Sequence, residues 1–313
     1  MEFRNLGKSG LRISLAGLGC NNFGMRIDTE QTRAVVHKAL DEGITFFDTA
    51  DIYGGRGKSE EMLGKALGNR RQDIVLASKV GMAMGDGPYD IGASRRRVIA
   101  CCEASLKRLG TDYLDLYQIH TPDALTPEQE TLEALDSLVS AGKVRYIGCS
   151  NYAGWQLADS IGIAREHGLA SYISAQNQYN LLERSIESEL IPACKHFNVG
   201  ILPFFPLASG FLTGKYRPGA APPKDTRFGA IQRLADMNLT EGNFATLQRL
   251  EKFAGDHGHS MLELAVGWLA GQQQVTSVIC GATRPEQISE NVKAFSWKLS
   301  SDELKEVDKL TRP

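Results

Sequence analysis

The sequence predicts an α/β protein whose parallel strands close into one (β/α)8 barrel of the TIM type. Three observations predict it. A short apolar run, a turn and an amphipathic helical stretch recur eight times along the 313 residues. Parallel strands joined in this way need a crossover, which the helical stretches supply. Composition shows no break near the middle, so residues 1–313 read as a single barrel domain. An open doubly wound sheet is the competing arrangement, and the number and length of the strands favour closure.

The elements follow in order. "MEFRNLGKSGLRIS" reads as a β-hairpin turning near Lys8 to Gly10, ahead of the first barrel strand. Barrel strands are expected at 15–19, 44–48, 74–80, 115–120, 145–149, 173–177, 200–205 and 276–280. Asp28 is placed to cap the first helix, with Gln31 at the capping-box position. Gly43 stands just past that helix, where a left-handed residue is wanted. Ser59 is expected to cap "SEEMLGKAL", whose first turn is acidic and suits the helix dipole. In "TPEQETLEALDSLVSAGK", Thr126 is expected as cap, Pro127 at the first helical position and Gly142 at the stop. Leu132, Leu135, Leu138 and Val139 share one face of that helix. Residues 216–242 break the rhythm. They are rich in Pro and Gly and weakly periodic, as a long functional or disordered loop would be.

Composition bounds the function. With 35 basic against 37 acidic residues, the net charge of −2 offers nothing to a polyanion, so neither nucleic acid nor membrane is an expected partner. The cysteines at 20, 101, 102, 149, 194 and 280 show no CxxC pair and no metal spacing. They read as reduced thiols of a cytoplasmic protein. The first residues carry no apolar signal region. "VGILPFFPLASGFLTG" is too broken by Pro203, Pro206 and glycines to span a bilayer.

A barrel gathers the carboxyl ends of its strands at one mouth, so residues far apart in sequence meet there. The second strand delivers Asp48, with Tyr53 in the following loop. The third delivers Lys79, the fourth His120, the fifth Ser150 and Asn151, and the sixth Gln176. A phenol with its usual pKa of about 10 is a poor acid at neutral pH. An ammonium beside it is expected to lower that value, and a carboxylate would keep the ammonium charged. A histidine at the rim can orient a carbonyl oxygen. The set reads as a proton-transfer site for a carbonyl or an alcohol, with no metal cage and no strong nucleophile. Hydride from a bound cofactor is the natural complement. Phe204 offers a flat face, the glycine-containing "PLASGFLTGK" with Lys215 suits a pyrophosphate, and "GATRPEQISEN" sets Thr283 and Arg284 before a helix, where phosphate is favoured.

In this order "DTADIYGGRGKSEEMLGKAL", "LASK", "DLYQIH", "GKVRYIGCSN", "PLASGFLTGKY" and "GATRPEQISEN" resemble the aldo-keto reductases nearly end to end, near the branch holding the potassium-channel β subunits and bacterial reductases. The resemblance implies that Asp48, Tyr53, Lys79 and His120 form the catalytic tetrad, with Tyr53 as proton donor, and that the cofactor is NADPH. It implies that Ser150, Asn151 and Gln176 hold the carboxamide while Phe204 stacks on the nicotinamide. Gly19, Asp48, Pro206, Leu207, Gly210 and Lys215 would lie along the cofactor. Gly281, Thr283, Arg284, Gln287, Glu290 and Asn291 would surround the adenosine end, with Arg227 clamping from the long loop. The chain departs from the family pattern at Phe205, where a hydroxyl is lost, at Asn21 and Asn22, and at Cys280.

Blander readings stand beside these. Cys101 and Cys102 read as helix packing, Arg95 to Arg97 as a solvated face, and His257 and His259 as a loop. "GLGCNNFG" lacks the spacing of a dinucleotide fingerprint. Met84 and Tyr89 read equally as pocket lining or loop packing. Three functions compete: an NADPH-dependent reductase of small-molecule aldehydes or ketones, an NADPH-binding regulatory subunit with little turnover, and a Schiff-base enzyme using Lys79. A carboxylate keeping that lysine protonated argues against the last.

Overall fold

A computed structural model of the chain describes residues 1–223 and 226–311. A hairpin of β1 (Phe3–Asn5) and β2 (Arg12–Ser14) precedes the sheet, with Phe3 opposite Ser14. The sheet strands are β3 (Ala16–Gly19), β4 (Phe46–Asp48), β5 (Val75–Val80), β6 (Leu114–Ile119), β7 (Val144–Ser150), β8 (Ser174–Gln176), β9 (Gly200–Ile201) and β10 (Val278–Gly281). All eight run parallel, in the order β10-β3-β4-β5-β6-β7-β8-β9. Backbone bonds close the ring. The Ile201 N–H donates to the Gln274 carbonyl at 2.8 Å, and Thr276 N–H donates to Ile201 at 2.9 Å. The fold is therefore the expected (β/α)8 barrel.

Period-two alternation divides each strand between two cores. Inward-facing Phe46, Ala77, Leu116 and Ile279 form one cluster, which Leu6 and Ile13 of the hairpin plug from below. Arg4 pins that plug by donating to the carbonyls of Val275 (2.7 Å) and Ala270 (2.8 Å). Outward-facing Phe47, Leu76, Tyr117 and Ile119 join the larger cluster under the helices.

Those helices include α1 (Thr29–Asp41), α2 (Tyr53–Arg56), α3 (Lys58–Leu67), α4 (Arg95–Leu109), α5 (Glu128–Ser140), α6 (Gly154–His167) and α7 (Leu190–Phe197). The long stretch after β9 holds two short helices, α8 (Arg227–Ala230) and α9 (Gln232–Asn238), where the sequence suggested an irregular loop. Lys224 and Asp225 within that stretch lie outside the described residues. Next come α10 (Glu241–Asp256), α11 (Met261–Gly271), α12 (Pro285–Ala294) and α13 (Ser301–Thr311). Among the described residues no helix is long and apolar enough to cross a membrane.

Asp28 caps α1 in a full capping box with Gln31, as the sequence predicts. Two caps differ. Helix α3 starts two residues early, with Gly57 at the cap, because Ser59 is fully buried and donates inward to the Cys20 carbonyl at 2.8 Å. Pro127, not Thr126, is the cap of α5; the Thr126 hydroxyl is taken by Asp123 at 2.6 Å.

Helix α3 crosses the end of α4 closely enough to need a glycine. A Cβ on Gly64 would stand 2.4 Å from the Leu109 carbonyl oxygen, and backbone cannot swing aside. Gly64→Ala is therefore expected to destabilise the fold by about 1–3 kcal/mol, as overpacking does. Urea unfolding followed by circular dichroism checks this, and an unchanged midpoint would contradict the close crossing.

Candidate active site

The alternation that builds the inner core also builds the mouth. Two residues beyond Phe46 is Asp48, two beyond Ala77 is Lys79, and two beyond Leu116 is Gln118. All three are buried, facing the same space at the carboxyl end of the barrel. The Lys79 ammonium is fully buried and donates to Asp48 Oδ2 at 2.6 Å and to the Thr49 carbonyl at 2.8 Å. It lies 3.5 Å from the Tyr53 hydroxyl and 4.9 Å from the ring centre. Asp48 Oδ1 accepts from Gln176 Nε2 at 2.8 Å and Gln118 Nε2 at 3.3 Å. The carboxylate is thus held on both oxygens.

Tyr53 reaches this group through a tight turn. The chain leaves β4, and the Tyr53 N–H closes back on the Ala50 carbonyl at 3.2 Å. Gly54 follows at φ 70°, where a Cβ would stand 2.5 Å from the Phe23 carbonyl oxygen. Glycine is needed there on both counts, strain and space. His120 meets Tyr53 edge to face at 5.6 Å between ring centres. Its backbone is fixed by its N–H on Val80 (2.7 Å) and by Asn151 Nδ2 donating to its carbonyl (2.9 Å).

Electrostatics set the protonation states. Burial, then the Lys79 charge, pushes His120 down to about 3, so its ring is neutral at physiological pH. Its buried Nδ1 has no hydrogen-bond partner within the chain. Burial lowers the Lys79 pKa, but Asp48 and Tyr53 outweigh it and the net shift is upward, keeping the ammonium charged. Tyr53 corrects the sequence expectation. Burial raises its pKa more than Lys79 lowers it, and Asp48 raises it further, so the net direction is up. The hydroxyl stays protonated, and Lys79 acts by limiting the rise.

These groups floor a cavity of about 770 Å³. Around it stand Gly19, Ser150, Asn151, Gln176, Phe204, Pro206, Leu207, Gly210, Lys215, Arg227, Gly281, Thr283, Arg284, Gln287, Glu290 and Asn291. Every residue singled out as a cofactor contact therefore lines one space, while Lys79 sits behind Asp48 and Tyr53. Gln176 is partly committed elsewhere, because its amide nitrogen holds Asp48. Ser150 Oγ donates to the Gln176 carbonyl at 2.8 Å, and Thr283 is tied to Gln287 Oε1 through its N–H at 2.8 Å. Phe205, at φ 51°, lies under the Arg227 guanidinium, which stands 5.3 Å from the ring centre and donates to Asn22 Oδ1 at 3.3 Å.

Sequence reasoning missed Gln118, although a polar residue two positions beyond Leu116 in an inward row was the available signal. It also missed Met82, Ser209, Thr213 and Leu262 on the cavity wall. Of the pocket candidates after β5, neither Met84 nor Tyr89 lines it. Tyr89 is exposed, with the Arg96 guanidinium 4.1 Å above its ring.

Comparison with known proteins agrees with this geometry. Residues 16–312 match the profile described as "Aldo/keto reductase family". The chain is 38% identical over 301 residues to a "Probable voltage-gated potassium channel subunit beta" of Arabidopsis thaliana, covering 94% of this chain and 91% of that one. It is 38% identical over 320 residues to "L-glyceraldehyde 3-phosphate reductase" of Escherichia coli strain K12, covering 98% and 92%. It is 33% identical over 330 residues to "Versiconal hemiacetal acetate reductase" of Aspergillus parasiticus, covering 97% and 95%. With a closed parallel barrel, a buried Asp–Lys pair against a tyrosine at its mouth, and a match along nearly its whole length, the chain belongs to the aldo/keto reductase family.

Proposed function

We propose that this protein, acting as one barrel domain in the cytoplasm, is an NADPH-dependent oxidoreductase that reduces aldehydes or ketones to alcohols. The observation that carries the reading is the Lys79 ammonium, buried at the floor of a large cavity between Asp48 and the Tyr53 hydroxyl. A nicotinamide dinucleotide suits this space. Phe204 presents a ring face, Ser150 Oγ and Asn151 Oδ1 present acceptors for an amide nitrogen, their own donors being held by Gln176, His120 and each other, and the Lys215, Arg227 and Arg284 cations face the same volume for phosphates. Gly210 at φ 95° and Gly281 leave backbone bare along the wall.

When bound, the reduced nicotinamide supplies a hydride to the carbonyl carbon. Tyr53 gives its hydroxyl proton to the carbonyl oxygen. Lys79 stabilises the phenolate left behind, and Asp48, fixed by Gln176 and Gln118, keeps Lys79 charged and in place. Neutral His120 offers a ring N–H to orient the carbonyl oxygen. A nicotinamide-dependent loss of absorbance on adding simple aldehydes tests the reading; NADPH binding with no turnover across a broad carbonyl panel would defeat it.

Preference for the 2′-phosphorylated cofactor rests on Arg284 and Thr283 at the start of α12, with Arg227 across the cavity. Arg284 is more than half exposed and loosely paired with Glu286 at 3.9 Å, so it is available to a phosphate. Arg284→Ala is expected to weaken NADPH binding about tenfold, one charge-assisted contact, and to leave NADH binding nearly unchanged. Fluorescence titration of both cofactors checks this; equal losses for the two would assign Arg284 no part in the choice.

A second reading is a nicotinamide-binding regulatory subunit with little turnover. Relatives named as potassium channel subunit beta in Arabidopsis thaliana and Schizosaccharomyces pombe favour it. The carbonyl panel separates the two, since only the first predicts steady turnover.

A further inference from the structure

Asp51 lies in the turn between Asp48 and Tyr53. Its backbone N–H points to the Lys79 carbonyl at 3.4 Å. Its side chain is fully buried outside the cavity wall, and no side chain donates to either carboxylate oxygen, the Ile52 N–H being a weakly aligned backbone donor beside it. A buried orphan carboxylate is costly and calls for a reason.

Arg97 of α4 supplies a counterpart. It is 6% exposed. Its Nη1 donates to the Tyr89 carbonyl at 3.0 Å and its Nη2 to the Met82 carbonyl at 2.9 Å, so it fastens the loop after β5 at two points. Its Nε is buried and unpartnered. The other ionisable groups around Asp51 are Glu60 on α3, Cys101 and Arg108 on α4, and Tyr117 on β6. Glu60 is already engaged, accepting from Ser78 Oγ at 2.5 Å and Arg108 Nε at 2.6 Å. Arg97 is thus the nearby guanidinium whose Nε donor is unspent, and a side-chain shift would bring that donor onto Asp51, which it does not touch in this structure.

We propose that Asp51 and Arg97 are a positioning pair that couples the turn carrying Tyr53 to the loop carrying Met82, and so sets how that loop closes on a carbonyl substrate. The proposal rests on the reductase reading. Met82 lines the cavity beside Tyr53 and His120, so movement of its loop alters the substrate wall. In the coupled form the ionised Asp51 carboxylate accepts from Arg97 Nε, and two orphaned groups are satisfied at once. In the uncoupled form Asp51 is the neutral acid, and Arg97 holds the loop without reference to the turn. Burial and Glu60 raise the Asp51 pKa, Arg97, Arg108 and the Ile52 N–H lower it, and the balance lies at about 7. The coupled form therefore prevails above that pH and the uncoupled form below it.

The test follows KM and kcat for 4-nitrobenzaldehyde with saturating NADPH across neutral pH. Wild-type KM is expected to fall roughly threefold to tenfold as pH rises through the transition, with kcat moving less than about twofold. Asp51→Asn, isosteric with the neutral acid, is expected to hold KM at the acid-side value throughout. Arg97→Lys, which keeps the charge but loses the fork, is expected to do the same. A wild-type KM that is flat with pH, or an Asp51→Asn variant that keeps the wild-type dependence, would overturn the proposal. Hydrogen exchange of residues 81–93, corrected for intrinsic rate, reads the same coupling without turnover. Protection should grow with pH in the wild type and not in Asp51→Asn; equal behaviour in both overturns the pair. A protein that shows the exchange difference but reduces no carbonyl would refute the reductase reading alone.

Discussion

Tyr53→Phe is expected to lower kcat for aldehyde reduction by about 10²–10⁴-fold, the usual contribution of a positioned general acid. The reason is local. The hydroxyl is a proton donor at the cavity floor that is backed by a buried cation, 3.5 Å away. Its net upward shift means that the proton is present at neutral pH, and the nearby Lys79 charge is what makes its departure tolerable. Phenylalanine preserves the ring that packs edge to face on His120, so the cavity should keep its shape. NADPH binding is therefore expected to change by no more than about twofold, because the loss falls on the transition state and not on the ground state. Stopped-flow turnover together with fluorescence titration separates these quantities. A variant that loses cofactor binding in proportion to activity would assign Tyr53 to binding instead of proton transfer.

Lys79→Met is expected to damage stability as well as activity. The ammonium and the Asp48 carboxylate are 2.6 Å apart, with the lysine fully buried. Removing one member leaves the other as an uncompensated buried charge, at a cost of about 3–5 kcal/mol. Asp48 keeps its bonds from Gln176 and Gln118, which places the expected cost toward the lower end of that range. The double variant Lys79→Met/Asp48→Asn should recover a substantial part of the loss, about 1–3 kcal/mol, because no orphaned charge remains. Neither variant should turn over. The pair also fixes an alkaline limit. The Lys79 pKa is raised in the folded protein above its ordinary value of 10.5, so its stabilisation is complete below that value and is lost as pH rises through the higher folded one. Wild-type stability should therefore fall more steeply in alkali than that of the double variant. Urea midpoints measured across pH decide the matter; parallel curves would show that the lysine carries no linked stability.

Much of the barrel was legible because strand alternation and helix punctuation are local. Phe46 and Phe47 read as a strand whichever neighbours they find, and Asp28 with Gln31 forms its capping box within one turn. The mouth residues were legible for a related reason: a strand that alternates must carry Asp48, Lys79 and Gln176 to the same end as its inward core residues. Gln118 obeyed the same rule and was passed over, although its amide helps to fix Asp48. Ser59 looked like a helix cap because serine ahead of two acids has that local preference. The packed structure draws its hydroxyl to Cys20 and Thr49 instead, contacts 39 and 10 residues away.

By itself the sequence determined the order of strands and helices, the family, and the chemical types gathered at the barrel mouth, since each follows from short-range periodicity and motif order. Tertiary structure alone decided the balances. Whether burial or Lys79 governs the Tyr53 hydroxyl, whether Gln176 turns its amide to Asp48, and whether Asp51 and Arg97 are left with unspent polar atoms all depend on distances across the fold and on water excluded from it. Energies of that kind vary steeply with separation and solvent exposure, and neither quantity is written in the order of residues along a chain.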